Sequence, residues 1–255
     1  MLLAIDVGNT QTHLGVFSGE ELVAQWRTRT EPNRTADELA LTLHQLLGSA
    51  GLDPAADIGG AAVSSVVPAI STAVRDLVAR HFDFSPVMVE PGIKTGMPIL
   101  IENPGELGAD RICNSVAAYA LAGGPSIVVD FGTATTLDAV SAKGEYLGGA
   151  IAPGVQISAD ALSFAAARIP RVELVEPRSV VGRTTVESLR SGVVLGAAAM
   201  VEGMIRRMQQ TLNSPARVVA TGGLCSLVLP HCDVEVQIEP TLTLTGLRIL
   251  YGRNA

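Results

Sequence analysis

Apolar positions along the chain follow two periods. Near the start, LLAIDVGNTQTHLGVFSGEELVAQW runs apolar up to Asp6-x-Gly8 and passes through small hydroxyl and amide residues. It then alternates, turns at Ser18-Gly19-Glu20 and alternates again. A later stretch, SIVVDFGTATTLDAVSAKGEYLGGA, repeats this order, with Asp130 matching Asp6, Gly132 matching Gly8, Thr136 matching Thr12 and Val140 matching Val16 at a constant offset. Each stretch predicts a β-hairpin whose first strand bends at Asp-x-Gly. Further on, GGAAVSSVVPAISTAVRDLVARHFDFSPVMVEPG and PARVVATGGLCSLVLPHCDVEVQIEP each read as strand, helix, strand, with a small-residue turn before the helix and Glu-Pro at the end.

Between these stretches the period becomes helical. Leu39, Leu43, Leu46 and Leu47 define one face of a helix over residues 36–47, with Thr35 as N-cap and Glu38 at the capping-box position. A second helix starts near Gly108 and runs to Leu121, linking the halves. A third covers Thr184 to Leu212, where Gly192, Gly196 and Gly203 allow close helix approach. A repeat of this size predicts an α/β fold of two similar lobes, residues 1–115 and 116–255, each a mixed sheet flanked by helices, with the ligand cleft between them.

Composition narrows the function classes. With 47% hydrophobic and 17% charged residues in 255, the chain can bury a sizeable core, and at 4% aromatics Val, Leu, Ile and Ala must fill it. A net charge of -7 without a block of like charge argues against nucleic acid or an anionic membrane as partner. The first apolar stretch ends at Asp6, too short for a signal peptide, and no uninterrupted apolar run approaches the roughly 18 residues of a spanning helix. Cys113, Cys225 and Cys232 are scattered, as reduced cytoplasmic thiols would be, and neither they nor the four His suggest a metal site.

The candidate chemistry sits at the turns. In DVGNTQT, backbone N–H groups after Gly8 can wrap phosphate oxygens with Asn9 and Thr10 adding donors, while Asp6 would hold Mg²⁺ or its waters. The same residues also make an ordinary polar turn; the second copy, DFGTATT, favours phosphate. No GxxxxGK[ST] motif is present. In NPGELGADR, Asp110 is either a general base with Arg111 as anion binder, or a helix cap. Thr184 and Thr185 either cap a helix or meet a ligand. Thr221-Gly222-Gly223 either admits a nucleotide or is a plain strand-to-helix turn.

The paired Asp-Gly hairpins resemble the phosphate loops of the acetate and sugar kinase, Hsp70 and actin superfamily, whose lobes are ribonuclease H-like. The ordered set DVGNT, NPGELGADR, DFGTATT, GGAIAPG, GRTTVESLRSG, TGG and LTLTGLRILY is similar to type III pantothenate kinases over nearly the whole chain. That resemblance implies ATP-dependent phosphorylation of pantothenate to 4'-phosphopantothenate, the first committed step toward coenzyme A. It implies that Asp6, Val7, Gly8, Asn9, Thr10, Gln11, Thr12 and His13 form the first ATP loop, that Thr133 contacts ATP in the second, and that Asp6 lies near Mg²⁺. It also implies that Asp130 binds a monovalent cation (K⁺ or NH₄⁺) and Asp110 is the base. Gly108, Ala109, Asp110 and Arg111 would bind pantothenate, with Thr185 reaching a partner subunit's substrate in a cytoplasmic homodimer. One departure stands out: Ile101 occupies the position of an aromatic Tyr that helps many members bind substrate. The competing expectations are a nucleotide-binding regulatory protein of the same fold, which would not need a base, and another small-molecule kinase.

Overall fold

A computed structural model describes residues 1–255, which divide into two compact units. The first unit comprises Met1–Met97, Glu102–Ala117 and Leu242–Ala255; the second comprises Pro98–Ile101 and Ala118–Thr241. These units are not consecutive halves meeting at 115/116: the short segment Pro98–Ile101 falls with the second stretch of chain and the last helix with the first. The last helix leaves the second stretch of chain and packs with the first unit, because its apolar face is matched there.

The first unit contains β1 (Leu2–Val7), β2 (Gln11–Ser18), β3 (Glu21–Arg29), α1 (Ala36–Ser49), the one-turn α2 (Pro54–Asp57), β4 (Gly60–Ser65), α3 (Pro68–His81), β5 (Val87–Met88) and the start of α4 (Ala109–Ala122). Its sheet has the order β3-β2-β1-β4-β5. β1 is antiparallel to β2 and parallel to β4, so the sheet is mixed. The expected hairpin with a bent first strand is instead a three-strand meander. Asp-x-Gly is not a bend but a reversal, closed where Gly8 N donates to Gln11 O at 3.0 Å. One face of this sheet buries Leu3, Ile5, Val7, Leu14 and Val16 against Leu43 and Leu47 of α1 and Val74 and Leu77 of α3. Each such side chain contributes roughly 1.5–3 kcal/mol on burial. The capping box of α1 is formed as its sequence requires: Glu38 N donates to Thr35 Oγ1 at 3.3 Å and Thr35 N donates to Glu38 Oε2 at 2.8 Å.

The second unit contains β6 (Ser126–Phe131), β7 (Ala134–Val140), β8 (Tyr146–Pro153), α5 (Val155–Ala165), α6 (Thr185–Leu212), β9 (Arg217–Thr221), the one-turn α7 (Cys225–Val228) and β10 (Gln237–Ile238). The order β10-β9-β6-β7-β8 is the first sheet's order with the equivalent strands in the same places. α6 has the length and apolar content to cross a membrane, yet its Leu189, Val193, Ala198, Val201 and Ile205 are buried with Ile127, Val129 and Phe131 of β6. α7 is far shorter than its counterpart α3, because Gly222-Gly223 precede it and Pro230 follows it closely. The final element, α8 (Leu242–Asn254), belongs to the first unit.

Candidate active site

The first Asp-Gly turn spans Gly8 to Thr10 between β1 and β2. Asn9, Thr10 and Gln11 are exposed, Asp6, Gly8 and Thr12 half-buried, and Val7 and His13 buried. The turn is tied to the end of β3: Thr30 N donates to Thr10 O at 3.0 Å, and the Thr12 and Thr30 hydroxyls lie 2.9 Å apart. Alternation puts Asp6 on the sheet face opposite the apolar Ile5 and Val7. In register, Asp6 stands beside His13 on β2 and Ser64 on β4, and His13 stands beside Arg27 on β3. Burial holds the His13 pKa below its ordinary value; its hydrogen bond to Gln25 (3.0 Å) opposes that, and the Arg27 charge reinforces it.

Asp110 belongs to the same unit. It is the second residue of α4, not its cap, since Ile112 N already donates to Gly108 O at 3.1 Å. Its Oδ1 accepts from Arg111 N at 2.8 Å, and a Cβ on Gly108 would lie 2.6 Å from that oxygen, so Gly108 makes room for the carboxylate. Ala109 is buried and Arg111 half-buried. Asp6 and Asp110, far apart in sequence, both act electrostatically on Cys113. Burial pushes that thiol well above its ordinary pKa, and the Asp6 and Asp110 charges push it further, in that order. Cys113 is fully enclosed and stays protonated.

In the second unit, the counterpart turn is two residues long, Gly132 and Thr133, both exposed. Gly132 N donates to Ala134 O at 3.1 Å. Two distant glycines brace it. A Cβ on Gly154, at the end of β8, would overlap the Thr133 carbonyl oxygen, and one on Gly222 (φ +100°) would lie 2.6 Å from the Phe131 backbone. Asp130 is half-buried at the end of β6, beside Thr136 on β7 and Thr221 on β9. Cys225 repeats the electrostatics of Cys113: burial and then the Asp130 charge push its thiol up to about 12.

These registers correct the constant offset. Asp6 pairs with His13, whereas Asp130 pairs with Thr136, so Thr136 occupies the place equivalent to His13 and not to Thr12. Thr184 caps α6, accepting from Glu187 N at 3.2 Å, and leaves Thr185 as an exposed first helical residue. Ile101 lies in the second unit, its Cγ2 3.7 Å from where a Gly148 Cβ would stand. Sequence reasoning missed Gly154 and Gly222 as supports of the second turn. Only the repetition of glycine beside each motif hinted at them.

A family profile for type III pantothenate kinase matches residues 2–207. The chain belongs to the type III pantothenate kinase family. Among the family's curated members, the proteins from Moorella thermoacetica and Frankia casuarinae are each 52% identical to it, over 254 and 255 residues, with 100% of both chains covered. The family's fold is shared by more distant structures. A Campylobacter jejuni protein described as a Baf family transcriptional activator superposes with a TM-score of 0.63 at 18% identity, covering 98% of this chain and 97% of that one. A Thermus thermophilus ROK hexokinase gives 0.54 at 16%, covering 97% of each. The fold is therefore the one these structures share, and its two mixed sheets flanked by helices are the α/β architecture expected.

Proposed function

We infer that the chain transfers the γ-phosphoryl group of ATP to pantothenate, forming 4'-phosphopantothenate on the way to coenzyme A, with Asp110 as the general base. Family membership over the full length supports the substrates. The observation that carries the base is the Asp110 carboxylate in the first turn of α4, given room by Gly108, in the unit that also holds the Asp6 turn. One carboxylate would serve the attacking hydroxyl and the other the phosphate's counterion.

Phosphoryl transfer asks for positioning and charge neutralisation more than for covalent chemistry. In this reading the N–H groups of Gly8 to His13, with the Asn9 and Thr10 side chains, hold ATP phosphates, and Thr133 contacts the nucleotide from the second turn. Asp110 takes the proton of the pantothenate hydroxyl while Gly108, Ala109 and Arg111 orient the acid, and the exposed Thr185 contacts pantothenate.

The donor sets fit hard cations. Asp6 is a half-buried carboxylate at the mouth of a turn rich in hydroxyls and carbonyls, and no three His, Cys, Asp or Glu side chains gather. That suits Mg²⁺ carried in by the triphosphate and reached from Asp6 through water. Asp130, flanked by Thr136 and Thr221, would hold K⁺ or NH₄⁺. Such ions supply charge neutralisation for the triphosphate.

A homodimer with shared sites completes the reading. Supporting it is apolar surface on the second unit, where Phe164 is 94% and Val180 and Val181 each 76% exposed. A chain that sediments as a monomer at micromolar concentration would remove this part. Three free thiols accord with the cytoplasm.

The test of the whole is pantothenate-dependent ATP turnover with Mg²⁺ and K⁺ present. Asp110→Asn is expected to lower kcat about 10²- to 10⁴-fold with the fold intact. Near-normal turnover by that variant would refute the base, and turnover independent of pantothenate would refute the substrate.

A further inference from the structure

α8 meets the helix that carries Asp110 at two points. Thr243 Oγ1 donates to Asn114 Oδ1 at 2.8 Å, between side chains only 9% and 1% exposed. Three residues on, Gly246 lies against the Cys113 backbone so closely that a Cβ would overlap the Cys113 carbonyl oxygen. Residues three or four apart share a helix face, so Thr243 and Gly246 present one face of α8, and Asn114 lies on the same face of α4 as Asp110. α8 is itself seated on the sheet face that carries Asp6. A Cβ on Gly15 would lie 2.8 Å from Leu244 Cδ1, and one on Gly60 would strike the Tyr251 ring. The chain's last helix thus connects the strand of Asp6 to the helix of Asp110 through contacts that admit no extra atom on one side and a single buried hydrogen bond on the other.

We propose that Thr243 and Gly246 are positioning residues, which set the depth and rotation of the first turns of α4 and so the place of the Asp110 carboxylate relative to Asp6. Close-packed backbone cannot yield locally. A Cβ at Gly246 must therefore move α4 as a body, and Asp110 with it. Loss of the Thr243 bond frees α4 to rotate about the Gly246 contact. Displacement of a reacting group by about 1 Å costs up to about 10²-fold in rate. The proposal rests on the reading of Asp110 as the base.

The experiment compares Thr243→Val, Thr243→Ser, Gly246→Ala and Asp110→Asn in the full-length chain. Three quantities are read: the number of ATP sites by equilibrium dialysis, and, with pantothenate present, kcat per ATP site and the KM for ATP. Thr243→Val keeps the size of the side chain and deletes the donor. It is expected to retain a full complement of ATP sites and an ATP KM within about twofold, while kcat per site falls about 10-fold. Thr243→Ser restores kcat to within about twofold, and Gly246→Ala loses about 10²-fold. A purely structural bond would lower the count of ATP sites and the activity in the same proportion.

The proposal is overturned if Thr243→Val turns over normally per site, if it binds no ATP at all, or if Thr243→Ser is as impaired as the valine variant. An inactive Asp110→Asn beside a fully active Thr243→Val would sink only the α8 strut. An active Asp110→Asn would remove the base, and the strut's purpose with it.

Discussion

The turn between β1 and β2 has three residues and its counterpart between β6 and β7 has two. The longer one is held by hydrogen bonds: Thr30 N reaches Thr10 O and the Thr12 and Thr30 hydroxyls meet. The shorter one, beyond its own Gly132 N to Ala134 O bond, is braced by backbone packed on backbone, through Gly154 against Thr133 and Gly222 against Phe131. Both lie at the tip of a strand whose penultimate residue is Asp, and in both a buried cysteine feels that carboxylate's charge. The same topology thus secures a phosphate-type turn in two physically different ways. Hydrogen bonds have some freedom in distance and angle, and water can replace a lost partner near the surface. Backbone contact at van der Waals distance has neither escape.

Breaking that contrast gives the largest expected effect. Gly222→Ala must adopt φ +100° and place a Cβ 2.6 Å from the Phe131 backbone. A loss of about 3 kcal/mol or more in unfolding free energy is expected, with Gly154→Ala comparable. Gly8→Ala in the first turn meets only Gln11 O, at 3.0 Å, and is expected to cost about 1 kcal/mol. Chemical denaturation of the three variants decides it, and equal losses would abolish the distinction.

The second effect concerns the two carboxylates. If Asp6 and Asp130 serve different ions, their Asn variants should fail differently. Asp6→Asn is expected to raise the Mg²⁺ concentration for half-maximal rate about 10- to 10²-fold with K⁺ dependence unchanged, and Asp130→Asn to do the reverse. Titrating each cation against pantothenate-dependent turnover reads both. Parallel shifts in the two variants would merge the roles.

The smallest effect compares helix starts. Thr35 and Glu38 form both halves of a capping box, whereas Thr184 accepts from Glu187 N while Glu187 turns to Arg183 N. Thr35→Ala is expected to cost about 1 kcal/mol and Thr184→Ala about half of that. Thermal unfolding tests this, and a larger loss at Thr184 would reverse the ranking.

Much of this molecule was legible from residues close together in the chain. The capping box at Thr35, the strand-helix-strand runs and the duplicated Asp-x-Gly all follow from spacings of two to four residues, where propensity and alternation act directly. The ordered motifs sufficed to point to the family. The equivalence of Thr12 with Thr136 was misread for a related reason. Identical letters at a fixed offset look like identical places, but one extra residue in a turn advances a strand's register by one, and only the pairing of Asp6 with His13 reveals it.

What the sequence determined by itself is the local chemistry: which segments form strands and helices, where carboxylates end strands, and where glycine permits a tight reversal. Tertiary structure alone decided what backs those places. It brought Cys113 within electrostatic reach of Asp6, set Gly154 on Thr133 and Gly222 on Phe131, and returned α8 to the first unit with Thr243 on Asn114. Such contacts join residues separated by tens to more than a hundred positions. They depend on atoms meeting at van der Waals distance after every intervening element has packed, a condition that no periodicity or spacing in the chain can express.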